Sequence, residues 1–333
     1  MKFEFFNKKR TQIFGKIKEM SEIIIQKRIT PPESAPNVIQ RERLINLLNE
    51  NINKSLILIC SPAGYGKTTF VQNYLSNQKS KFTWYHVSYG TNDFYTFFSY
   101  LVYSLKRINN QFGKTTIQIL EVNRHSYQMS KEFKSIAVEV IGTFVNEFQQ
   151  LFNEDVIIVI DDLHNLEDSE WLRSAFNILL DNIPDNMHMI ITSRQIPNFN
   201  LAYLSAKRKL LKIEMNDLNF SRDEIGMLLQ NIYSISYSAK DIDLLETKLS
   251  GWITGIHLIL QAYGKEFSKI KLERLKIPEN IFNFFANEIF KKLSSEVQSF
   301  LLSTAPLDNF DEGICNWMLG IKNSNIILDE LLS

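Results

Sequence analysis

The chain has 333 residues, with 37 Lys and Arg against 37 Asp and Glu, so its formal charge is zero. A freestanding nucleic-acid binder carries a basic surplus to neutralise phosphates, so the balance argues against that class, and 44% hydrophobic residues with 24 Phe argue against a disordered chain. At about 150 residues per domain the length suits two domains, or three small ones.

In chain order, Ile13, Ile17, Met20 and Ile24 recur at helical spacing with Lys16, Lys18 and Glu22 on other faces, which predicts an appended helix over residues 1–28. Its mixed charges suit packing on protein rather than on a membrane surface. The basic and apolar residues of the first twenty positions are interleaved, leaving no signal-peptide core. Pro31, Pro32 and Pro36 predict a linker over 29–36. A helix is expected from Arg41 to Glu50, a strand from Leu56 to Cys60 and a helix from Lys67 to Ser76. Further strands are expected at Thr83–Val87, Val156–Ile160 and Met187–Thr192, separated by helices including Tyr95–Ile108 and Glu132–Phe152. Short apolar strands alternating with helices give an α/β fold, a parallel sheet with helices on both faces. After about residue 220 the strand signals fade, and Asp223–Gln230, Asp241–Leu249 and Ile281–Leu293 read as helices. No apolar run approaches the roughly 20 residues of a membrane span. Two cysteines, Cys60 and Cys315, suggest no disulfide framework. The expected compartment is the cytosol.

The segment Ser61-Pro62-Ala63-Gly64-Tyr65-Gly66-Lys67-Thr68-Thr69 follows a strand and opens a helix, the setting of a phosphate-binding loop. Glycines let backbone approach an anion, Lys67 reaches the β and γ phosphates, and the Thr68 hydroxyl ligates Mg²⁺. Ser61 stands where the generic motif has its first glycine. Gly-Lys alone is weak evidence: it occurs at Gly15, Gly66, Gly113 and Gly264, and the third copy continues Lys114-Thr115-Thr116. That copy follows a helix rather than a strand and has no further glycine before it, so it is set aside. Val156–Ile160 ends in Asp161-Asp162, two carboxylates at a strand tip. Alone they would suit a solvated turn; after a phosphate loop they suit a metal-holding Asp161 and a water-orienting Asp162. Arg194, after Thr192-Ser193, is a candidate γ-phosphate sensor, with a surface salt bridge as the plainer alternative. His164 suits a loop hydrogen bond. The guanine-reading Asn-Lys-x-Asp motif is absent, and Ser250-Gly251 lacks the rest of a transporter ATPase signature.

In order along the chain, Pro31-Pro32, Arg41-x-Arg43-Leu44, the Ser61–Thr69 loop, Trp84 with Asn92-Asp93 and Phe97, Asp161-Asp162-Leu163-His164, Thr192-Ser193-Arg194, Asp217–Phe220, Gly251-Trp252 and Phe300-Leu301 resemble the MalT-type branch of the STAND ATPases, which open many LuxR-type transcription regulators. The resemblance implies a P-loop nucleotide-binding domain at 37–215, a helical lid at 216–285 and the start of a winged-helix domain at 286–333 that breaks off inside it. It implies ATP and Mg²⁺ as cofactors. Ser61, Gly64, Tyr65, Gly66, Lys67, Thr68 and Thr69 would cradle phosphates, and Val38 and Arg41 would lie near adenine. Thr68 and Asp161 would hold the metal, Asp162 would support slow hydrolysis, and Arg194 would read the γ-phosphate. Ile253 stands where related lids often have a nucleotide-contacting proline. The implied function is an ATP-operated signalling switch with weak ATPase activity and no complete DNA-binding element in this chain. Self-association or a protein partner would accompany the ATP state, without a membrane. The rivals are an orphan interaction module and a turnover ATPase.

Overall fold

The computed structural model describes residues 24–34, 37–91, 93–124, 133–166, 170–284, 286–287, 290–307 and 309–332, except 265–278 within the fourth-last of these stretches. The expected helix at 1–28 lies outside them as far as residue 23. The remainder begins with Ile24 and a 3₁₀ turn, Gln26–Ile29, and both Ile24 and Ile29 are buried in the core of the α/β unit. Pro36 of the expected linker also lies outside the described residues.

Contacts divide the chain into two compact units: Met1–Pro62 with Gly66–Leu218, and Ala63–Tyr65 with Asn219–Ser333. The first is built on five parallel strands: β1 (Leu56–Cys60), β2 (Lys81–His86), β3 (Val156–Asp161), β4 (Met187–Ser193) and β5 (Leu210–Ile213). Their order is β2-β3-β4-β1-β5. Helices α1 (Glu42–Asn51), α2 (Lys67–Ser76), α3 (Phe94–Lys106), α4 (Lys114–Val122), α5 (Phe133–Leu151), α6 (Glu170–Asp181) and α7 (Leu201–Ala206) surround it, and a single helical turn, Met215–Leu218, ends the unit.

Successive strand residues point to opposite faces. Leu56, Leu58, Ile158, Ile160, Met189 and Ile191 join the core that includes α3, α5 and α6. Their alternates Ile57, Ile59, Ile157, Val159 and Ile190 are buried as well. This is why the central strands are unbroken apolar runs rather than alternating ones. Phenylalanines fill much of this core: Phe112 meets Phe144 edge-on at 5.3 Å between centroids, and Phe176 stacks on Phe199 at 4.4 Å. Strand β5 was not among the expected strands. Lys209-Leu210-Leu211-Lys212-Ile213 is short, punctuated by lysines and at the sheet edge, where polar residues protect an open ladder.

The second unit is helical. It contains α8 (Arg222–Met227), which continues as a π turn at Leu228–Ile232, then α9 (Ala239–Leu249), α10 (Ile253–Tyr263), α11 (Glu279–Phe284), α12 (Ser295–Thr304), α13 (Glu312–Leu319) and α14 (Ser324–Leu332). Ser221 and Glu224 form a capping box that starts α8. The helix expected over Ile281–Leu293 is instead α11 and a separate 3₁₀ turn at Phe290–Lys292 among the described residues. Gly251 is in the left-handed region (φ 75°), where its carbonyl accepts from Phe220 N at 3.0 Å and an added Cβ would stand 2.7 Å from that nitrogen. In the same unit, Trp252 Nε1 donates to Ala63 O (3.1 Å) and Thr254 Oγ1 to Gly64 O (2.9 Å). Val297, Phe300, Cys315 and Ile327 form a small core among α12, α13 and α14. Among the described residues no helix is long and apolar enough to cross a membrane.

Candidate nucleotide site

β1 is wholly buried and ends at Cys60, so the chain leaves the C-terminal edge of the parallel sheet at Ser61. Gly66, at φ 79°, turns the chain into α2. Gly64, at φ 83°, takes the same left-handed region, which costs glycine nothing and side-chain-bearing residues about 1 to 2 kcal/mol. No side chain caps the start of α2. Its first N–H groups and positive dipole end therefore suit an anion. Lys67, the first residue of α2, is buried and its Nζ donates to the carbonyls of Ser61 (2.5 Å) and Pro62 (3.0 Å). Burial pushes its ammonium down to about 8, against the upward pull of Asp162, while Arg194 pushes it further down. Tyr65 is half-buried and Thr69 exposed.

β3 delivers Asp161, only 1% exposed, to the same edge. Its Oδ1 accepts from Thr68 Oγ1 at 2.8 Å and from Thr192 Oγ1 at 2.7 Å. Strand order explains this meeting: β4 lies between β3 and β1, so Thr192 of β4 is flanked by the acid pair on one side and the phosphate loop on the other. Thr192 Oγ1 also accepts from Asp162 N at 2.9 Å. Asp162 itself is left-handed (φ 59°, ψ 45°), a conformation Asp and Asn tolerate better than other side chains. Its carboxyl is raised by burial and then by Asp161, against lowering by His86, Lys67 and Arg194. Arg194 thus lies within electrostatic reach of both Lys67 and Asp162.

Two further side chains, Thr192 and His86, meet this cluster without a motif that marks them. In the sequence Thr192 stands only as part of the run leading to Arg194. His86, the last residue of β2, pairs with Asp161 in the β2–β3 register, and its Nδ1 is 3.2 Å from Asp161 Oδ2. The bond to Asp161 raises the imidazole above its usual range, opposed by burial. The signal was the end of the strand expected at Thr83–Val87, but its register is not written in the sequence. His164 Nδ1 is 3.8 Å from Asp162 Oδ1, longer than the loop hydrogen bond the sequence suited.

Val38 and Arg41 are not joined to this cluster by any of the bonds above, but their segment runs beside α2. Ser34 Oγ is 2.6 Å from Gln72 Nε2, and Asn49 Oδ1 of α1 accepts from Tyr74 OH at 3.0 Å. Arg41 is buried at the head of α1, where its carbonyl accepts from Leu44 N and Ile45 N.

The second Gly-Lys-Thr-Thr segment is a local copy of the first. Gly113 has φ 77° and opens α4, yet the N–H groups of Thr115 and Thr116 and the Thr116 hydroxyl donate to the Glu147 carboxylate at 2.8, 3.3 and 2.6 Å. An internal anion fills the position a phosphate would take, and setting this copy aside accords with that geometry.

The donor set beside α2 is a threonine hydroxyl 2.8 Å from a buried carboxylate, with a second carboxylate next to it. Hard oxygen donors of this kind fit Mg²⁺, and the glycine-rich loop with its uncapped helix start fits a polyphosphate.

Residues 34–194 match the family model described as Nephrocystin 3, N-terminal, and residues 286–333 match the MalT winged helix domain. The chain is 26% identical over 292 residues to the HTH-type transcriptional regulator MalT of Vibrio parahaemolyticus, covering 86% of this chain and 31% of that protein. It is 25% identical over 311 residues to the same-named protein of Vibrio cholerae, covering 92% and 33%. The chain thus spans about a third of the length of these curated relatives. The Walker-type ATPase of Pyrococcus abyssi superposes with a TM-score of 0.51 at 13% identity, covering 90% of this chain and 91% of that one, a likeness of fold. Over most of its length the chain is thus similar to about a third of the length of the MalT-type regulators, and residues 286–333 match the model of their winged-helix domain.

Proposed function

We propose that this chain is the ATP- and Mg²⁺-operated switch portion of a MalT-type transcription regulator. The observation that carries the reading is the joining of the phosphate loop to the acid at the β3 tip through the Thr68–Asp161 hydrogen bond of 2.8 Å, with Lys67 beginning the same helix. Lys67 would exchange its two loop carbonyls for β and γ phosphate oxygens, a stronger, charge-assisted partnership. Ser61, Gly64, Tyr65, Gly66 and Thr69 would shape the backbone cradle, and Val38 and Arg41 the base end. Thr68 and Asp161 would hold Mg²⁺, which when bound neutralises charge on the β and γ oxygens. Asp162 would orient the attacking water and Arg194 would register the γ-phosphate.

In this reading, residues 37–215 are the nucleotide-binding domain, 216–285 the lid and 286–333 winged-helix sequence. Residues 286–333 hold 3 Lys and no Arg against 7 Asp and Glu, a composition that favours protein contact over binding to phosphate backbones. Leu302 (66% exposed), Trp317 (86%) and Ile326 (62%) offer apolar surface for self-association or a partner in the ATP state.

Calorimetry with ATP tests the reading. Wild-type protein is expected to bind in Mg²⁺, and Lys67→Ala to bind about 10- to 100-fold more weakly, the worth of a charged hydrogen bond or two. Hydrolysis is expected at switch rates, on the order of 10⁻⁴ to 10⁻² s⁻¹. Absence of ATP binding by the wild type, or intact binding by Lys67→Ala, would overturn the proposal.

A further inference from the structure

We infer that His86 forms with Asp161 and Asp162, at the tips of β2 and β3, a mixed nitrogen–oxygen cation site that favours an imidazole-binding first-row divalent ion such as Co²⁺ or Zn²⁺ over Mg²⁺. The inference rests on the reading of Asp161 as the metal-facing acid and adds a ligand that reading does not use.

The site follows from strand register. His86 and Asp161 are the last paired residues of β2 and β3, so their side chains leave the same edge of the sheet together. His86 Nδ1 lies 3.2 Å from Asp161 Oδ2 and 3.9 Å from Asp162 Oδ2. One ligand atom from each of the three residues falls within 4.8 Å of the others. Around a cation with bonds of about 2.1 Å, neighbouring ligand atoms stand about 3.0 Å apart in an octahedron and about 3.4 Å apart in a tetrahedron. The first distance already matches such an edge, and bringing the remaining two, which lie within 4.8 Å, to such an edge needs a shift of about an ångström or more in the Asp162 side chain.

The supporting contacts hold two of the three groups in place. Asp161 has Oδ1 fixed by the Thr68 and Thr192 hydroxyls, which leaves Oδ2 toward His86. Asp162 is fixed through its backbone N–H on Thr192. Such outer contacts orient ligands before a metal arrives. The His86 side chain is 40% exposed, so the position has a route from solvent. Mg²⁺ gains little from an imidazole nitrogen, whereas Co²⁺, Ni²⁺ and Zn²⁺ bind it readily.

The test titrates nucleotide-free full chain with Co²⁺ by visible absorption, and then with Mg²⁺ in competition, for wild type, His86→Ala and His86→Gln. Wild type is expected to bind Co²⁺ with a spectrum of mixed nitrogen and oxygen ligation. The Co²⁺-to-Mg²⁺ affinity ratio is expected to fall about tenfold or more in both variants, about 1.4 kcal/mol. A general disturbance of the site would weaken both ions alike and leave the ratio unchanged, which overturns the inference, as does a wild type that binds no Co²⁺. Wild-type ATP binding in Mg²⁺, measured separately, keeps the two readings apart. Its absence removes the switch, whereas an unchanged ratio removes only the role of His86.

Discussion

Asp162 concentrates two demands in one residue. Its backbone is left-handed and its N–H is spent on Thr192, while its carboxyl faces Asp161 and is raised by burial. Asparagine tolerates the same backbone and nearly the same shape, so Asp162→Asn isolates the charge. The variant is expected to fold and bind ATP but to hydrolyse it about tenfold or more slowly in single-turnover measurements, the usual worth of a positioned base. Unchanged turnover would remove the assignment. Asp162→Ala should lose about 1 to 2 kcal/mol of stability in addition, because alanine lacks the side chain that eases the left-handed turn. The residues of this site divide by how they are written. Lys67-Thr68 and Asp161-Asp162 were legible because each motif is contiguous and sits at the end of an apolar strand. His86 and Thr192 were not, because they reach Asp161 sideways, through strand neighbours that a sequence does not order.

At the scale of elements, Gly66 and Gly113 show that helix starts alone do not make a site. Both glycines have φ close to 78°, and both precede Lys-Thr-Thr at the first turn of a helix. What differs is the preceding element and the occupant: α2 follows a strand, whereas the first N–H groups of α4 are satisfied by Glu147 of α5. Removing that carboxylate by Glu147→Ala leaves the helix-start donors of Thr115 and Thr116 without their acceptor, of which those of Thr116 are part-buried, and is expected to cost about 1 to 2 kcal/mol in urea unfolding. ATP affinity should stay within about threefold of wild type in the same variant. A large loss of ATP affinity without a loss of stability would move the nucleotide to the second copy. The same comparison marks the limit of reading elements from sequence. Hydrophobic runs identified the strands buried on both faces, but β5, with two lysines in and beside four residues, carries too little apolar pattern to stand out. The order β2-β3-β4-β1-β5 depends on packing between distant segments, which no local pattern encodes.

At the scale of the whole molecule, the balanced charge conceals units with different sensitivities to pH. In the second unit, His257 of α10 is half-buried and its Nδ1 lies 2.6 Å from Tyr233 OH. Burial lowers its pKa from the ordinary 6.5. Between that lowered value and 6.5 the unfolded chain binds a proton that the folded chain refuses. Stability therefore rises with pH across this window. The contribution is complete above about 6.5 and is lost progressively as pH falls toward the folded-state value. Amide hydrogen exchange in Ile253–Tyr263, corrected for the intrinsic pH dependence of exchange, follows this unit without requiring the whole chain to unfold at once. Protection should fall as the pH drops below about 6.5 in the wild type and fall less in His257→Gln, which has no imidazole to protonate. Equal slopes in the two proteins would place the pH sensitivity elsewhere. Protection of β3 in the first unit serves as the internal control, since His257 is not part of that unit and its removal should leave the β3 slope unaltered.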